Sequence, residues 1–140
     1  MRPVLFAICL LPLPAFAGDA PSGGASLAML QGDWAVSIVN GTEPEAAADF
    51  TISADGISGQ SGCNRFFATL SVTGGALEIG PLALTKMACP PPQMRTEMAV
   101  TAALSAADAV EVTAEGALVL RAKDQPVLTA ARAVTLPQSP

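Results

Sequence analysis

Apolar and polar residues alternate through the first half of the chain and predict a series of short β-strands. In Asp33–Val39, the apolar residues Trp34, Val36 and Ile38 fall on one face. The same alternation, bounded by turns such as Asn40-Gly41, predicts strands at Phe50–Ile52, Ile57–Gln60, Phe67–Thr73 and Ala76–Ile79. Short strands with turns every eight to twelve residues or so are typical of an antiparallel meander.

The pattern changes period after the run Pro90–Pro92, which is excluded from a strand interior but favoured at a helix start. Residues Gln93–Ala107 predict a helix. Its apolar face is expected to carry Met94, Met98, Thr101 and Leu104, with Val100 and Ala103 beside them.

Strand patterns return after the helix, at Ala109–Thr113, Leu118–Arg121 and Val127–Ala131, with residues 134–136 extending the last strand. The order of strands, one helix and strands again predicts an α+β fold. We expect a strongly curved antiparallel β-sheet, a partly open barrel, packed with one α-helix in a single disulfide-stapled domain.

The first seventeen residues have the composition of a secretion signal. Arg2 supplies the positive charge, Val4–Leu13 is an apolar run too short to cross a bilayer, and Ala15-Phe16-Ala17 suits signal peptidase. We expect cleavage after Ala17, a flexible leader over 18–26, a domain over 27–136 and a disordered tail over 137–140. Cys9 lacks a lipoprotein context, so a periplasmic or secreted protein is expected rather than a lipoprotein.

Composition narrows the chemistry that the chain can perform. There is no histidine and no tyrosine, which argues against imidazole catalysis, His-ligated zinc and aromatic platforms for single strands. The net charge of −5 disfavours nucleic acid and anionic membranes as partners. No later apolar run has the length of a transmembrane helix, so no stable membrane insertion is expected after signal cleavage.

Cys63 and Cys89 admit three interpretations. The export signal favours a structural disulfide between them. A metal site would need further ligands that the missing histidines cannot supply. A reactive thiol would draw on Arg65, Lys86 or the helix start after Cys89, but the chain has no Cys-x-x-Cys motif.

Several strings give the chain a family resemblance. They are Leu30-Gln31-Gly32-Asp33-Trp34, Ile57-Ser58-Gly59, Gly62-Cys63-Asn64-Arg65-Phe66, Leu84-Thr85-Lys86-Met87-Ala88-Cys89, Met94-Arg95-Thr96-Glu97 and Leu118-Val119-Leu120. Over residues 27–133 the chain resembles the META domain family, which includes HslJ-like heat-inducible envelope proteins. The resemblance implies a compact α+β domain in the cell envelope with a link to stress tolerance, including antibiotic resistance. It implies no catalytic residue, cofactor or metal. Phe67-Ala68 departs from the family pattern, in which a small residue and glycine are common.

The candidate contact residues are the motif residues Gly62, Asn64, Arg65 and Phe66, together with Glu97 on the predicted helix. Asn64 is expected to shape its turn, since asparagine bonds readily to its own backbone. Arg65 either recognises a partner at the surface or forms an ion pair with Glu97, and we expect the ion pair.

Two side-chain types are expected to belong to the core. Trp34 should be buried with its indole N–H bonded to the backbone. The thioethers of Met87, Met94 and Met98 should pack against neighbours rather than bind Cu(I).

Three functional hypotheses follow. The first is a non-enzymatic exported META-type domain with a binding or structural role in envelope stress tolerance or antibiotic resistance. The second is a small periplasmic inhibitor of a protease or lysozyme, acting through residues 18–26. The third is a thiol-based redox protein using Cys63 or Cys89. The expected partner is an envelope protein or a small apolar ligand, and the domain is expected to be a monomer.

Overall fold

A computed structural model describes residues 24–134 of the chain. The expected signal peptide over 1–17 and tail over 137–140 lie outside the described residues, as do residues 18–23 of the expected leader. At the end of the expected leader, Gly24 lies against the Gly74–Gly75 turn and Ala25 is buried. Packing therefore begins before residue 27.

Nine strands and two helices make up the described residues. The strands are β1 Gly32–Val39, β2 Asp49–Ile52, β3 Gly56–Gln60, β4 Arg65–Thr73, β5 Ala76–Ile79, β6 Ala83–Leu84, β7 Ala109–Val112, β8 Leu118–Ala122 and β9 Gln125–Arg132. The helices are α1 Leu27–Leu30 and α2 Pro91–Ala106. All predicted strands are present within two residues of their expected bounds. The two-residue strand β6 was not predicted, because it is too short to show an alternation.

The predicted extension of the last strand is wrong where it can be compared. Strand β9 ends at Arg132, and Val134 is exposed beyond it. Residues 135 and 136 lie outside the described range.

Eight of the strands close into an antiparallel barrel. The order along the sheet is β3-β2-β1-β9-β8-β7-β5-β4, and an additional pairing of β3 with β4 joins its two ends. The predicted partly open barrel is therefore closed. Closure is possible because β4 is long enough to pair with β3 along one edge and with β5 and β6 in succession along the other. Full closure removes the exposed edges that an open sheet would leave.

Alternation along β4 sorts its side chains between the barrel interior and the outer surface. Phe66, Ala68 and Leu70 are buried inside, whereas Phe67 and Thr69 are exposed outside. The interior side chains join those of the other strands in one hydrophobic core.

Trp34 is fully buried, and its indole N–H donates a hydrogen bond of 2.7 Å to the carbonyl oxygen of Leu30, as predicted. The Arg132 guanidinium lies over the indole, 4.1 Å from the ring centroid, and donates to the carbonyl oxygens of Met29 and Gln31. These contacts hold α1 against the barrel.

Helix α2 packs on β8, β9 and β1 and lies next to the connection between β1 and β2, where the Thr96 hydroxyl accepts the Ala46 N–H at 3.0 Å. Its buried residues are Thr96, Val100, Ala103 and Leu104. The predicted face is wrong for Met98, which is 69% exposed. Neither described helix is long and apolar enough to cross a bilayer.

Candidate functional site

The turn between β3 and β4, residues 61–64, brings the family motif against α2. Gly62 adopts a φ of +112°, and a Cβ at this position would lie 2.8 Å from the Gln93 carbonyl oxygen and 2.9 Å from Thr96 Cβ. Glycine satisfies both demands, because it has no Cβ and populates positive φ readily. Gly62 is therefore a packing residue that lets the turn touch the helix.

The disulfide interpretation of the two cysteines is confirmed. Cys63 and Cys89 are joined, with their Cα atoms 5.8 Å apart. Cys63 is only 3% exposed, whereas Cys89 is partly exposed just before α2. The bridge ties the β3–β4 turn to the entrance of the helix.

Asn64 holds the segment before Cys89 against the same turn. Its side-chain Oδ1 accepts the Met87 N–H at 2.6 Å and the Thr85 hydroxyl at 3.0 Å. Its Nδ2 donates to the Met87 carbonyl oxygen at 3.2 Å and to Glu97 Oε1 at 3.1 Å. With its amide fully used and only 3% of the residue exposed, Asn64 acts as a structural clamp.

Glu97 binds Asn64 and Ser61 instead of Arg65. Its Oε2 accepts the Asn64 backbone N–H at 2.7 Å and lies 3.2 Å from the Ser61 hydroxyl. The predicted Arg65–Glu97 ion pair is wrong. Because successive residues of a strand point to opposite faces, Arg65 projects to the outside, away from the faces used by Asn64 and Phe66.

The motif residues therefore build the domain and leave little free chemistry in the turn. Phe66 lies inside the barrel, and Cys63, Asn64 and Glu97 are bonded to one another or to neighbouring groups. Within residues 24–134, no three cysteines or carboxylates are grouped in a way that could hold a metal ion. The packing prediction for the methionines fails at Met87 and Met98, whose side chains are exposed.

An exposed aromatic surface lies on the outer face of β4, directly beside the motif. Phe67 is 65% exposed, with Ser58 of β3 and Ala83 of β6 as its direct partners across the sheet. A cavity of about 390 Å³ opens beside it, lined by Ser58, Arg65, Phe66, Phe67, Ala83, Leu84 and Thr85. Sequence reasoning missed this surface, although an available signal was a phenylalanine at an outward position of an alternating strand.

A second depression lies on the other side of Phe67. Its volume is about 310 Å³, and it is lined by Ser53, Asp55, Gly56, Ile57, Ser58, Phe67, Ala68 and Thr69. Phe67 thus lines both depressions on the barrel's outer surface.

Arg65 differs from the other arginines of the described region. Arg95 pairs with Glu45, Arg121 pairs with Glu111, and Arg132 bonds to carbonyl oxygens over Trp34. The Arg65 side chain makes no hydrogen bond or ion pair with any residue of the range 24–134. Its guanidinium is therefore available at the edge of the cavity beside Phe67.

This architecture defines a small closed β-barrel, stapled by one disulfide and packed with one principal helix. A family model described as the META domain matches residues 25–135, and the chain belongs to the META domain family. The META domain is not a known enzyme family.

Two solved structures resemble the chain. An NMR structure of a protein from Burkholderia xenovorans is 26% identical, has a TM-score of 0.62, and is matched over 96% of this chain and 98% of its own. A second NMR structure is also 26% identical, with a TM-score of 0.61, over 76% of this chain and 94% of its own. No curated protein sequence matches the chain.

Proposed function

We propose that the chain is a non-enzymatic META domain of the cell envelope that contributes to stress tolerance, including antibiotic tolerance, by binding a partner. The observation that carries this proposal is that polar groups of the motif form hydrogen bonds within the domain itself. Asn64 and Glu97 bond to each other and to the segment that Cys89 anchors, so they build a scaffold instead of a reactive centre. Arg65 and Phe67, beside the motif, lie on the outer surface, where they can contact a partner.

A location in the periplasm or outside the cell agrees with two independent features. Disulfides persist in oxidising compartments, and the Cys63–Cys89 bridge joins two structural elements of this small domain. Residues 1–17 have the sequence properties of a cleaved secretion signal.

The other two hypotheses have less support. A redox function would need free thiols, but Cys63 is buried within the bridge. An inhibitor acting through residues 18–26 would need a free leader, but Gly24 and Ala25 at its end pack against the domain.

Complementation of a deletion strain tests the proposal. The strain should become sensitive to heat or to antibiotics, and the full chain should restore tolerance. A version without residues 2–17 should fail, and the same version carrying an established signal peptide should succeed. Rescue by the version that is not exported, or the absence of any stress phenotype, would contradict the proposal.

A further inference from the structure

We propose that the outer face of β4 at Phe67 and Arg65 binds a small aromatic anion. A planar ring would stack on Phe67 while its carboxylate pairs with the Arg65 guanidinium. This inference rests on the binding role proposed above and names the chemistry of the ligand.

Phe67 has the surroundings of a stacking surface. Its cross-strand neighbours Ser58 and Ala83 are small, and Gly56 lies two residues before Ser58 on the same outer face of β3. These residues cannot cover an aromatic ring, which is why depressions of about 390 and 310 Å³ open beside it. Aromatic rings prefer offset or edge-to-face packing, and a solvent-exposed ring can accept a second ring in this way.

Arg65 supplies a positive charge at a distance from Phe67 that suits a small aromatic anion. It lies two residues from Phe67 on the same face of β4, roughly 7 Å along the strand. This spacing suits a ring with a carboxylate on a short linker. The Arg65 fork can bind that carboxylate in a bidentate manner.

The local charge favours an anion although the whole chain carries a net charge of −5. Among the described residues that line the cavity beside Arg65, none is acidic. The Glu97 carboxylate, which was expected to pair with Arg65, is bound to Asn64 instead. Asp55 lines the depression on the other side of Phe67 and does not line the cavity that contains Arg65.

The size of the cavity favours a small ligand. Its volume of about 390 Å³ lies at the lower end of the range for small-molecule sites, about 300–1,000 Å³. A planar aromatic ring gains stacking on Phe67 in addition to buried area, whereas an acyl chain gains buried area alone.

The test is an amide-resolved NMR titration of the exported form of the chain with naphthalene-1-acetate. Saturable shifts are expected at Ser58, Phe67 and Ala83. Naphthalene-1-acetamide, a neutral analogue of the same shape, should bind about 1.5- to five-fold more weakly, since it cannot form an ion pair with Arg65. Decanoate should bind more weakly than naphthalene-1-acetate.

Three variants assign the contacts. Phe67→Ala should weaken binding of both naphthalene probes by about five-fold or more. Arg65→Gln should remove the preference for the acetate over the acetamide. Arg121→Gln is the matched control, because that guanidinium is paired with Glu111, and it should leave both affinities unchanged.

The proposed site is wrong if saturable shifts at these residues are absent, if acetate and acetamide bind equally, or if decanoate binds more tightly. None of these results bears on export or stress tolerance. A failed titration beside successful complementation by the exported chain would therefore overturn the ligand site alone, whereas failed complementation would overturn the proposed function.

Discussion

The Glu97 carboxylate accepts the backbone N–H of Asn64 at 2.7 Å, and this bond joins α2 to the turn between β3 and β4. The disulfide joins Cys63 in the same turn to Cys89, which lies two residues before α2 begins at Pro91. One covalent and one charge-assisted contact thus fix the helix on the barrel.

Glu97→Ala should lower the free energy of unfolding by about 2–3 kcal/mol, because hydrogen bonds to a charged group contribute more than neutral ones. Urea denaturation followed by Trp34 fluorescence measures this change. Glu78→Ala, at an exposed position of β5, is the control and should change stability by less than about 0.5 kcal/mol. Equal effects of the two substitutions would show that the Glu97 contacts contribute nothing.

A double-mutant cycle should show no coupling between Arg65 and Glu97. Arg65→Ala and Glu97→Ala should be additive within about 0.5 kcal/mol, because the two side chains do not form an ion pair. The corresponding cycle of Asn64→Ala with Glu97→Ala should show a coupling of about 1 kcal/mol or more. Strong coupling in the Arg65 cycle would show that Arg65 and Glu97 do form an ion pair, against the strand geometry.

Removing the disulfide should lower the free energy of unfolding by about 3.5 kcal/mol in the chain-entropy model, given the sequence separation of 26 residues. The variant Cys63→Ala/Cys89→Ala in urea denaturation measures this loss. A mass measurement of the unreduced wild-type protein should show two hydrogens fewer than the free-thiol form. Quantitative labelling of both thiols in native protein would contradict the bridge.

Gly62→Ala should destabilise the domain for two separable reasons. Positive φ strains an alanine by about 1–3 kcal/mol, and the new Cβ would also collide with the Gln93 carbonyl oxygen and Thr96. Gly41→Ala is the matched control, since its φ is +79° but nothing lies within 4 Å of a Cβ built there. The larger loss of unfolding free energy should belong to Gly62→Ala. Equal losses would mean that the turn moves away from the helix without penalty.

The ion pair of Glu45 and Arg95 should make a small pH-dependent contribution to stability. The hydrogen bond from Arg95, together with its positive charge and against the effect of desolvation, holds the pKa of Glu45 below its ordinary value of 4.5. A lowered pKa in the folded state stabilises the fold above pH 4.5, and this stabilisation is lost as the pH falls through the folded-state value. Because both side chains are exposed, the effect is small.

NMR titration of the Glu45 carboxyl carbon measures its pKa, which should rise toward 4.5 in Arg95→Gln. In unfolding experiments, Glu45→Gln should be less stable than wild type near neutral pH, and the difference should vanish well below pH 4.5. Glu43→Gln is the control, because Glu43 forms no ion pair with any residue between 24 and 134. A pKa for Glu45 that is insensitive to Arg95 would exclude this linkage.

Local patterns predicted most of the elements, because an alternating strand or a proline-led helix is encoded within a few neighbouring residues. Strand β1 and helix α2 were located in this way to within two residues. The export signal, together with the two cysteines that follow it, also predicted the Cys63–Cys89 disulfide. Strand β6 was missed because two residues are too few to show an alternation, and they pair only with Phe66 and Phe67 of β4.

The sequence alone therefore predicted the order of all strands except β6 and of the principal helix, favoured the disulfide over its alternatives, and showed the resemblance to the META domain. The tertiary structure decided three further features: the closure of the barrel, the hydrogen-bond partner of Glu97 and the exposure of the Phe67 ring. Each depends on residues far apart in the chain: β3 pairing with β4, Asn64 facing α2, and small residues beside Phe67. Strand pairing determines which face of β4 meets solvent and what lies beside it, so Arg65 and Phe67 emerge as exposed neighbours only once the barrel is assembled.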